Sequence, residues 1–403
     1  MSEPVAPEAA SAAAGETSPA PGSAPGSVTR VMLEILIHGP LSRVELAQRL
    51  GLSGPSLTRI TKPLIASGRL FEGAPQVRAA GRPLQPLDLD PSSEYFAGVK
   101  LTGNAVYSVM ADLRGAVRAQ HEEPLAGRDP ETVADAVARS VRAFGSAFRP
   151  LGGVGISLGG NSADGRFVDE SHFLEWRDVP LADLVEQRLG LPVVVANDVN
   201  ALTQAQRWFG GGRGLDTFVV VTIGAGVGMG LVAGGELVAG ATGAVGSIGH
   251  QLLAWSEAVC WRGHHGCASA LLATDAVERA AARASGLPVG DVVFDDVLRG
   301  AERGDPELRA VVDEAGTALG LLLANVANTL DPQKIVLAGE GARLGVVGEH
   351  AMLTAFAEGR VWRSVSTPVD VQPFEFSEWA RGAAAMAIRA RMLHDVPARP
   401  ASD

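Results

Sequence analysis

The chain has 403 residues, of which 46% are hydrophobic and 20% charged, and its formal net charge is −11. This length accommodates two or three domains, and the acidic balance excludes indiscriminate nucleic-acid binding by the whole chain. No apolar run reaches the roughly 18–20 residues that a membrane helix needs. The two cysteines cannot form a disulfide framework, which predicts a reducing, cytoplasmic location.

The N-terminal residues 1–27 are rich in Ala, Pro, Ser and Gly and carry only acidic charges. They lack the basic start and the long apolar stretch of a signal peptide. They also cannot bury enough apolar surface to fold. The composition therefore predicts a disordered tail over residues 1–27, and residues 395–403 are predicted to form a second, short tail.

Residues 28–90 are predicted to form a small helical module. Apolar residues at helical spacing indicate a first helix over Val28–Ile37. Ser42, with Glu45 three residues later, matches the capping box that starts a second helix. After a glycine turn, a third helix is predicted to begin at Ser53. Helix, glycine turn and helix is the layout of a helix-turn-helix motif.

This module is basic although the chain is acidic. Between Val28 and Asp88 there are eight basic and four acidic residues, which gives this segment a charge of +4. A basic module on an acidic body indicates a local DNA contact, and the alternative is a helical interaction bundle with a solvated basic face. The candidate DNA contacts are Ser42, Arg43, Ser53, Ser56, Thr58, Arg59, Lys62 and, at a predicted wing tip, Arg82.

From Glu94 onward, strand-like and helix-like segments alternate, which is typical of a layered α/β domain. Near the middle of this region, a run of glycines leads to His250 and then to Cys260 and Cys267. Histidine and thiolate at this spacing are natural donors for tetrahedral Zn²⁺. A structural zinc site needs four ligands, and His264 or His265 could supply the fourth. The alternative is a loop with two reduced cysteines that packs without metal.

Three motifs resemble the ROK family, a group of bacterial sugar kinases and sugar-responsive repressors. They are the Asn197-Asp198 pair after a buried strand, the glycine run that ends in Ser247-Ile248-Gly249-His250, and the cysteine pair. The N-terminal module also resembles the winged helix of the family's repressors. The resemblance extends over roughly Val28 to Leu393.

The resemblance implies an α/β protein with an N-terminal winged helix-turn-helix domain over residues 28–90. A two-lobed, actin/ribonuclease-H-like ROK domain would follow. Its first lobe would span residues 91–196 and be completed by a returning helix over residues 377–394. The second lobe, with the zinc-type loop, would span residues 197–376.

The resemblance also implies a sugar site in the cleft between the lobes. In the family, the Asn of the pair binds sugar hydroxyls and the Asp is the catalytic base; the alternative role of Asp198 is a helix N-cap. Phe173 stands where the family often supplies an Asn to the ligand, and a place at the ligand and a place in the apolar core are both open. The implied sugar ligands are Gly160, Asn161, Asn197, Asp198, Gly243, Ser247, His250 and Ser269. The implied zinc ligands are His250, Cys260, Cys267 and His265.

Several positions depart from the family's kinase pattern. Where kinases carry an Asp-x-Gly-Gly-Thr-like phosphate loop, this chain has Lys100–Asn104, and lysine cannot coordinate Mg²⁺. Two glutamates of the signature are replaced by Ser247 and Ser269, one cysteine by Arg262, and Glu340 stands near the position of the family's adenosine pocket. These departures predict that ATP is not bound and that the chain is not an enzyme.

The sequence therefore predicts a sugar-responsive transcriptional regulator, most simply a repressor. Its partners would be a palindromic operator DNA, a sugar or sugar derivative, and further copies of itself in a homodimer or homotetramer. It would not contact a membrane. The alternatives are an ATP-dependent sugar kinase with a DNA-binding extension and a constitutive DNA-binding protein whose sugar site has decayed.

Overall fold

The computed structural model describes residues 26–75, 84–362 and 366–393. The predicted N-terminal tail lies outside the described residues except for Gly26 and Ser27, and Ser27 already begins a helix. The predicted wing tip with Arg82 and the predicted C-terminal tail also lie outside them.

The N-terminal module has three helices and a small antiparallel sheet in the order β1-β3-β2. Three helices followed by the antiparallel strands β2 and β3 fit the predicted winged helix-turn-helix layout. The elements are α1 (Ser27–His38), β1 (Leu41–Ser42), α2 (Arg43–Leu50), α3 (Gly54–Ala66), β2 (Phe71–Glu72) and β3 (Pro86–Asp88).

Local hydrogen bonds define where the helices of this module begin and end. The Ser42 hydroxyl accepts from the Glu45 amide, and the Glu45 carboxylate accepts from the Ser42 amide at 2.8 Å, which is the predicted capping box. Gly51 ends α2 with φ +64, a left-handed conformation that favours glycine. The Ser53 side chain caps α3 by accepting from the Ser56 amide at 3.3 Å.

The first lobe is built on a five-stranded sheet in the order β10-β7-β4-β5-β6. Strands β4, β5 and β6 are antiparallel, whereas β4, β7 and β10 run parallel. A 3-10 helix, Pro91–Ser93, leads into it. The elements are β4 (Tyr95–Leu101), β5 (Ala105–Asp112), β6 (Val117–Pro124), α4 (Pro130–Ala143), β7 (Leu151–Leu158), β8 (Val168–Ser171), β9 (Trp176–Val179), α5 (Leu181–Leu189) and β10 (Val193–Asn197).

The second lobe repeats this plan after α6 (Asp198–Phe209). Its sheet has the order β13-β12-β11-β14-β15, with three antiparallel strands followed by two parallel ones. Two related sheets confirm the predicted two-lobed α/β architecture. The further elements are β11 (Phe218–Ile223), β12 (Val227–Ala233), β13 (Glu236–Leu237), α7 (Ala268–Leu272), α8 (Thr274–Ser285), α9 (Phe294–Glu302), α10 (Pro306–Leu330), β14 (Ile335–Ala338), α11 (Leu344–Val347), α12 (Glu349–Gly359), β15 (Val369–Val371) and α13 (Phe376–Leu393), with 3-10 helices at Ile248–His250 and Val289–Asp291.

The last helix, α13, returns to the first lobe and packs directly on its sheet. A Cβ atom added to Gly98 of β4 would overlap the backbone oxygen of Ala380, and one added to Gly155 of β7 would overlap that of Ala383. Only glycine permits so close an approach of helix and strand backbones. The predicted return of this helix is therefore confirmed, with bounds Phe376–Leu393.

The N-terminal module shares one apolar core with the first lobe and α13. Leu36 and Leu57 of the module belong to the same buried cluster as Phe96 of β4 and Ile388 and Met392 of α13. The module is therefore held to the body by packed side chains as well as by the connecting chain.

Helix α10 differs from the prediction that no apolar run is as long as a membrane helix. Among the described residues, this one helix is long and apolar enough to cross a membrane, although 67% of its most apolar window is buried inside the protein. A helix that is apolar on most sides is also what the core of a large domain requires. Its burial here identifies α10 as a core helix of the second lobe.

Candidate functional site

The Asn197-Asp198 pair lies where β10 ends and α6 begins. The Asn197 side chain accepts from the Asn200 amide at 3.1 Å and donates to the Gly160 carbonyl oxygen at 2.7 Å. Asn197 is therefore the N-cap of α6, and the alternative that assigned the cap to Asp198 is wrong. Asp198 is the first helical residue, where the helix dipole favours its negative charge.

Asp198 forms a buried ion pair with Lys100. The Lys100 ammonium donates to Asp198 Oδ2, and the two side chains are only 7% and 14% exposed. Sheet register explains the contact: Lys100 of β4 and Ala196 of β10 both lie beside Ser157 of β7. Two parallel strands that flank a third bring their carboxyl ends to the same edge of the sheet. The sequence alone indicated that Lys100 cannot coordinate Mg²⁺, but it did not indicate that Lys100 pairs with Asp198.

A second carboxylate near this end of the sheets belongs to Glu340 of the second lobe. Glu340 follows β14, and its side chain lies against the turn between β11 and β12, where a Cβ on Gly224 would overlap the carboxylate. Burial raises the pKa of Glu340; the nearby Asp198 also raises it, whereas the Glu340 amide and Lys100 lower it. The charges of Lys100 and Asp198 therefore both act on Glu340.

The glycine loops of the two lobes meet above the pair. The Asn161 amide donates to Asp169 and to the carbonyl oxygen of Thr242, both at 3.4 Å. Gly243 has φ +71, and a Cβ there would lie 3.0 Å from the Ser162 carbonyl oxygen. The structure therefore brings Gly160, Asn161 and Gly243 to the region of Asn197 and Asp198.

The two serines that replace family glutamates are placed differently. Ser247 is exposed, and its hydroxyl donates to the Ala244 carbonyl oxygen at 3.0 Å. Ser269 is 5% exposed and lies under the turn before His250, since a Cβ on Gly249 would be 2.6 Å from its hydroxyl. Among the described residues, no hydrogen bond joins either serine to the Asn197-Asp198 pair. Buried Ser269 is thus removed from the surface of the cleft.

Aromatic contacts connect the first lobe to the histidine and cysteine loop. Phe173 is 43% exposed, so it is not a core residue, and its ring lies on Gly159, where a Cβ would be 2.7 Å from the ring and 3.8 Å from Asp198 Oδ2. His172 stacks on Trp261 at 4.0 Å, and Trp261 contacts His250 edge-on at 5.7 Å. Sequence reasoning missed this stack, because nothing in the local pattern around His172 pointed to Trp261.

Four side chains of this loop converge to form a candidate metal centre. The donor atoms of His250, Cys260, His264 and Cys267 all lie within 4.8 Å of one another. His250 Nδ1 is 3.6 Å from Cys260 Sγ and 4.0 Å from Cys267 Sγ. Two thiolates and two imidazoles around a tetrahedral Zn²⁺ would be separated by roughly 3.3–3.8 Å. The donor set is therefore one that zinc prefers, and its spacing, up to 4.8 Å, is somewhat wider than that of a closed tetrahedral site.

The fourth side chain of this group is His264, whereas His265, the fourth ligand implied by the sequence, lies outside the group. The His264 backbone oxygen accepts from the Cys260 amide at 3.1 Å, which holds this residue beside the thiols. His265 forms a backbone bridge with Val259 instead, and successive side chains of extended backbone point to opposite sides. Arg262, at the family's remaining cysteine position, places its guanidinium 4.7 Å over the Trp261 ring.

The protonation properties of the group suit metal binding. Burial lowers the pKa of His250, and the neighbouring His264 and Arg262 lower it further, so its neutral, ligating form is favoured. Burial would raise the pKa of Cys260, but backbone amides of His264, Arg262 and Gly263 lower it overall. Burial raises the pKa of Cys267. The Cys260 thiol therefore ionises before the Cys267 thiol, and a bound cation would favour ionisation of Cys267 as well.

The predicted DNA-contact residues separate into exposed and structural groups. Ser53, Thr58, Arg59 and Lys62 are exposed on α3, with Ser56 partly buried beside them. The Thr58 hydroxyl donates to the Gly54 carbonyl oxygen at 3.0 Å.

Two of the predicted contacts on α2 already have partners within the module. Ser42 is 3% exposed and its hydroxyl forms the capping box, so its role is structural and it leaves the set of DNA contacts. Arg43 forms an ion pair with Glu72 of the wing at 2.7 Å and is one-third exposed. Arg59 and Lys62 therefore remain the main exposed cations of this face.

The fold and the cleft define a class: a two-lobed sugar-kinase-like domain joined to a winged helix-turn-helix module. The model of the ROK family matches residues 96–390. The chain belongs to the ROK family.

Similar sequences include regulators and a kinase. The chain is 26% identical over 314 residues to the DNA-binding transcriptional dual regulator NagC of Escherichia coli, which covers 75% of this chain and 77% of that protein. It is 24% identical over 327 residues to the xylose repressor of Bacillus subtilis, covering 80% and 83%. It is 29% identical over 272 residues to a glucokinase of Halalkalibacterium halodurans, covering 63% and 82%.

Solved structures give the same two groups. A ROK family transcriptional regulator described as a homolog of the E. coli MLC protein superimposes with a TM-score of 0.78 at 24% identity, covering 91% of this chain and 96% of that chain. A ROK family glucokinase from Streptomyces griseus, solved with glucose and AMPPNP, gives a TM-score of 0.65 at 25% identity, covering 73% and 99%. The regulator therefore covers a larger share of this chain than the kinase does.

Proposed function

We propose that this chain is a sugar-responsive transcriptional repressor that binds DNA through its N-terminal module and a sugar through its interlobe cleft. Relatives named as repressors cover three quarters or more of the chain in sequence, and the fold of a solved transcriptional regulator covers 91% of it. The organisation of a basic winged helix on an α/β sugar-binding body is what such a regulator requires. A cytoplasmic location follows from contact with the chromosome.

The observation that carries the proposal is the Lys100–Asp198 ion pair. A kinase needs this carboxylate as a base and needs acidic groups to hold Mg²⁺ beside it. Here the ammonium of Lys100 donates to Asp198 and is almost fully buried. The cleft therefore retains hydrogen-bonding groups for a ligand while it lacks the charges for phosphotransfer. We accordingly assign the chain as a sensor that does not bind ATP, not as an enzyme.

The sugar would contact Asn197, Asp198 and the glycine loops above them. Carboxylate oxygens accept hydrogen bonds from hydroxyl groups, and backbone groups at Gly160 and Gly243 allow a ring to approach closely. The proposed sugar-contacting residues further include Asn161, Phe173 and His250, and Ser247 lies at the edge. Ser269, which is buried, would support the turn.

Zinc would be held by His250, Cys260, His264 and Cys267. When bound, the ion would crosslink the loop and fix the His250 ring beside the cleft. His250 would then connect the metal loop to the ligand, and the stack of His172 on Trp261 would connect the same loop to the first lobe.

On the DNA side, Arg59 and Lys62 of α3 would contact phosphates and base edges, with Ser53, Ser56 and Thr58 beside them. Arg43 would join them if its pairing with Glu72 is exchanged for phosphate, and Arg82 remains a proposed wing contact. A helix-turn-helix dimer reads two half-sites about one helical turn apart, so the operator is proposed to be a palindrome and the protein a homodimer or homotetramer.

A ligand changes DNA affinity only if it binds two conformations unequally. Closure of the lobes around a sugar would move α6, which begins at Asp198. A Cβ on Gly382 of α13 would lie 2.8 Å from the Ala201 backbone of α6, so these helices touch without clearance. Helix α13 in turn shares the core of the N-terminal module through Ile388 and Met392. This route connects the sugar site to the DNA-binding helices.

The first experiment is sequencing of genomic DNA fragments captured by the purified protein at near-physiological salt. Palindromic sites beside sugar transport or glycosidase genes are expected. Fluorescence anisotropy with such a site and a sugar panel then identifies the effector, and Asp198→Asn should abolish the sugar response while DNA binding persists. No enrichment above background, or an unchanged response in Asp198→Asn, would contradict the proposal.

The similarity to glucokinases gives a second candidate, a sugar kinase with a DNA-binding extension. A coupled assay for ADP release over the same sugar panel tests it directly. Turnover that depends on Asp198 would favour the kinase, whereas the ion pair with Lys100 predicts none.

A further inference from the structure

The interlobe cleft contains a cation that belongs to the protein itself. Lys100 extends from the end of β4 in the first lobe, Asp198 begins α6, and Glu340 follows β14 in the second lobe. Asp198 accepts from the Lys100 ammonium through Oδ2 and from the Val199 amide at 2.9 Å through Oδ1. Both carboxylate oxygens are therefore already engaged in the folded protein.

The position of Lys100 is fixed by its surroundings. Its ammonium lies 4.8 Å from the centroid of the buried Trp379 ring, a distance at which a cation is attracted to the ring face. A buried ammonium that both pairs with a carboxylate and lies on an aromatic ring has little freedom to leave. Lysine offers three donors, and one of them is used by Asp198, so the others can face a ligand.

Carboxylate oxygens such as those of Asp198 and Glu340 are the ligands that hard divalent cations prefer. Among the described residues, no side chain other than Lys100 brings a positive charge to Asp198 in an ion pair. Burial raises the pKa of Glu340, and of the charges that act on it Lys100 lowers that pKa while Asp198 raises it. The ammonium thus occupies the electrostatic position that a metal ion would otherwise take.

We propose that the Lys100 ammonium is the resident cation of this cleft and determines what the cleft accepts: it excludes a divalent metal ion and makes ligand binding metal-independent. This inference rests on the proposed sugar site in the same cleft. A sugar hydroxyl both donates and accepts, so one hydroxyl can serve Asp198 and Lys100 together. A ligand that arrives with its own metal ion meets a fixed positive charge instead.

The test is Mn²⁺ binding to full-length protein that has first been saturated with Zn²⁺, so that the thiol-containing loop does not compete. Free Mn²⁺ is counted by electron paramagnetic resonance. Lys100→Met removes the charge but keeps the chain length, and it should bind one Mn²⁺ about tenfold or more tightly than the wild type, because a like charge beside the site is removed. Adding Glu340→Gln to Lys100→Met should abolish the gain.

The matched control is Lys334→Met. Lys334 also pairs with an aspartate, Asp370, at 3.2 Å, but it lies outside the cleft. This variant should bind Mn²⁺ like the wild type. Lys100→Gln provides a second uncharged variant if Lys100→Met does not fold, as judged by circular dichroism.

The inference is overturned if the wild type binds Mn²⁺ as tightly as the folded Lys100 variants, or if Lys334→Met shows the same gain. It is also overturned if the gain persists in Lys100→Met with Glu340→Gln. These outcomes are independent of the proposed function, because capture of operator DNA and its release by sugar are measured on the wild type without Mn²⁺. Failure of the inference about Lys100 can therefore be distinguished from failure of the proposed repressor function.

Discussion

The N-terminal module and the interlobe cleft differ in how far apart along the chain their contacting residues lie. In the module, Ser42 and Glu45 form a capping box across three residues. In the cleft, Lys100 and Asp198 meet across 98 residues. Local hydrogen bonds can be recognised from spacing, whereas a contact between distant strands depends on the order of the sheet. The DNA-binding module can therefore be recognised from local sequence patterns, whereas the ligand site can be recognised from them only in part.

The largest effect is expected in the cleft, from Asp198→Ala. This change leaves the buried Lys100 ammonium without its partner, and breaking a buried pair on one side costs about 3–5 kcal/mol. Chemical denaturation followed by fluorescence measures the loss. Asp198→Ala combined with Lys100→Met should recover part of it, because the unpaired charge is then gone. An unfolding free energy equal to that of the wild type would show that the pair is not formed in solution.

Metal removal is expected to have the next largest effect. Zinc at about 1,000 times its Kd should stabilise the folded protein by about 4 kcal/mol, because the ion binds the folded loop and not the unfolded chain. The measurement is thermal unfolding with and without a chelator, with elemental analysis of the metal. His264→Ala should lose the zinc and this stabilisation.

His265→Ala is the matched control for His264→Ala. The His265 backbone bridges to Val259, and the His265 side chain is outside the donor group. It should retain one zinc per chain. Loss of zinc in His265→Ala but not in His264→Ala would restore the assignment made from the sequence.

A smaller effect is expected in the module, from Ser42→Ala. Loss of an N-cap costs about 1 kcal/mol, and the cost should appear in the unfolding of the helical module. Because the Ser42 side chain is buried, DNA affinity of the folded protein should change little.

Arg59→Ala should instead lower DNA affinity and reduce the slope of log K against log salt by about 1. If Ser42→Ala changes the salt slope as Arg59→Ala does, Ser42 is a DNA contact after all.

The smallest expected effect is on the pH dependence of stability, and it comes from Glu340. The pKa of Glu340 is raised above its usual 4.5 by burial. The folded protein therefore binds more protons than the unfolded chain above pH 4.5, and this group's contribution to stability falls as pH rises through the raised pKa. Glu340→Gln should be more stable than the wild type at neutral pH, and the difference should shrink toward pH 4. Parallel unfolding curves at all pH values would contradict the assignment.

Features that depend on residues near one another along the chain could be predicted from the sequence. The capping box, the start of α3 at Ser53, and the grouping of His250 with Cys260 and Cys267 were all predicted from residues at most 17 positions apart. Motifs such as Asn197-Asp198 added the family and with it the two-lobed fold. These predictions held because capping, turns and metal spacing are set by the local geometry of the chain.

Only the tertiary structure decided the features that depend on packing between distant segments. It gave the cap of α6 to Asn197, selected His264 over His265 through the backbone bond to Cys260, and buried Ser42 and Ser269. It also placed Lys100 on Asp198, because β4 and β10 flank β7 with their carboxyl ends at one edge. Strand order and side-chain direction arise from the burial of the whole core, which is why no local spacing could have fixed them.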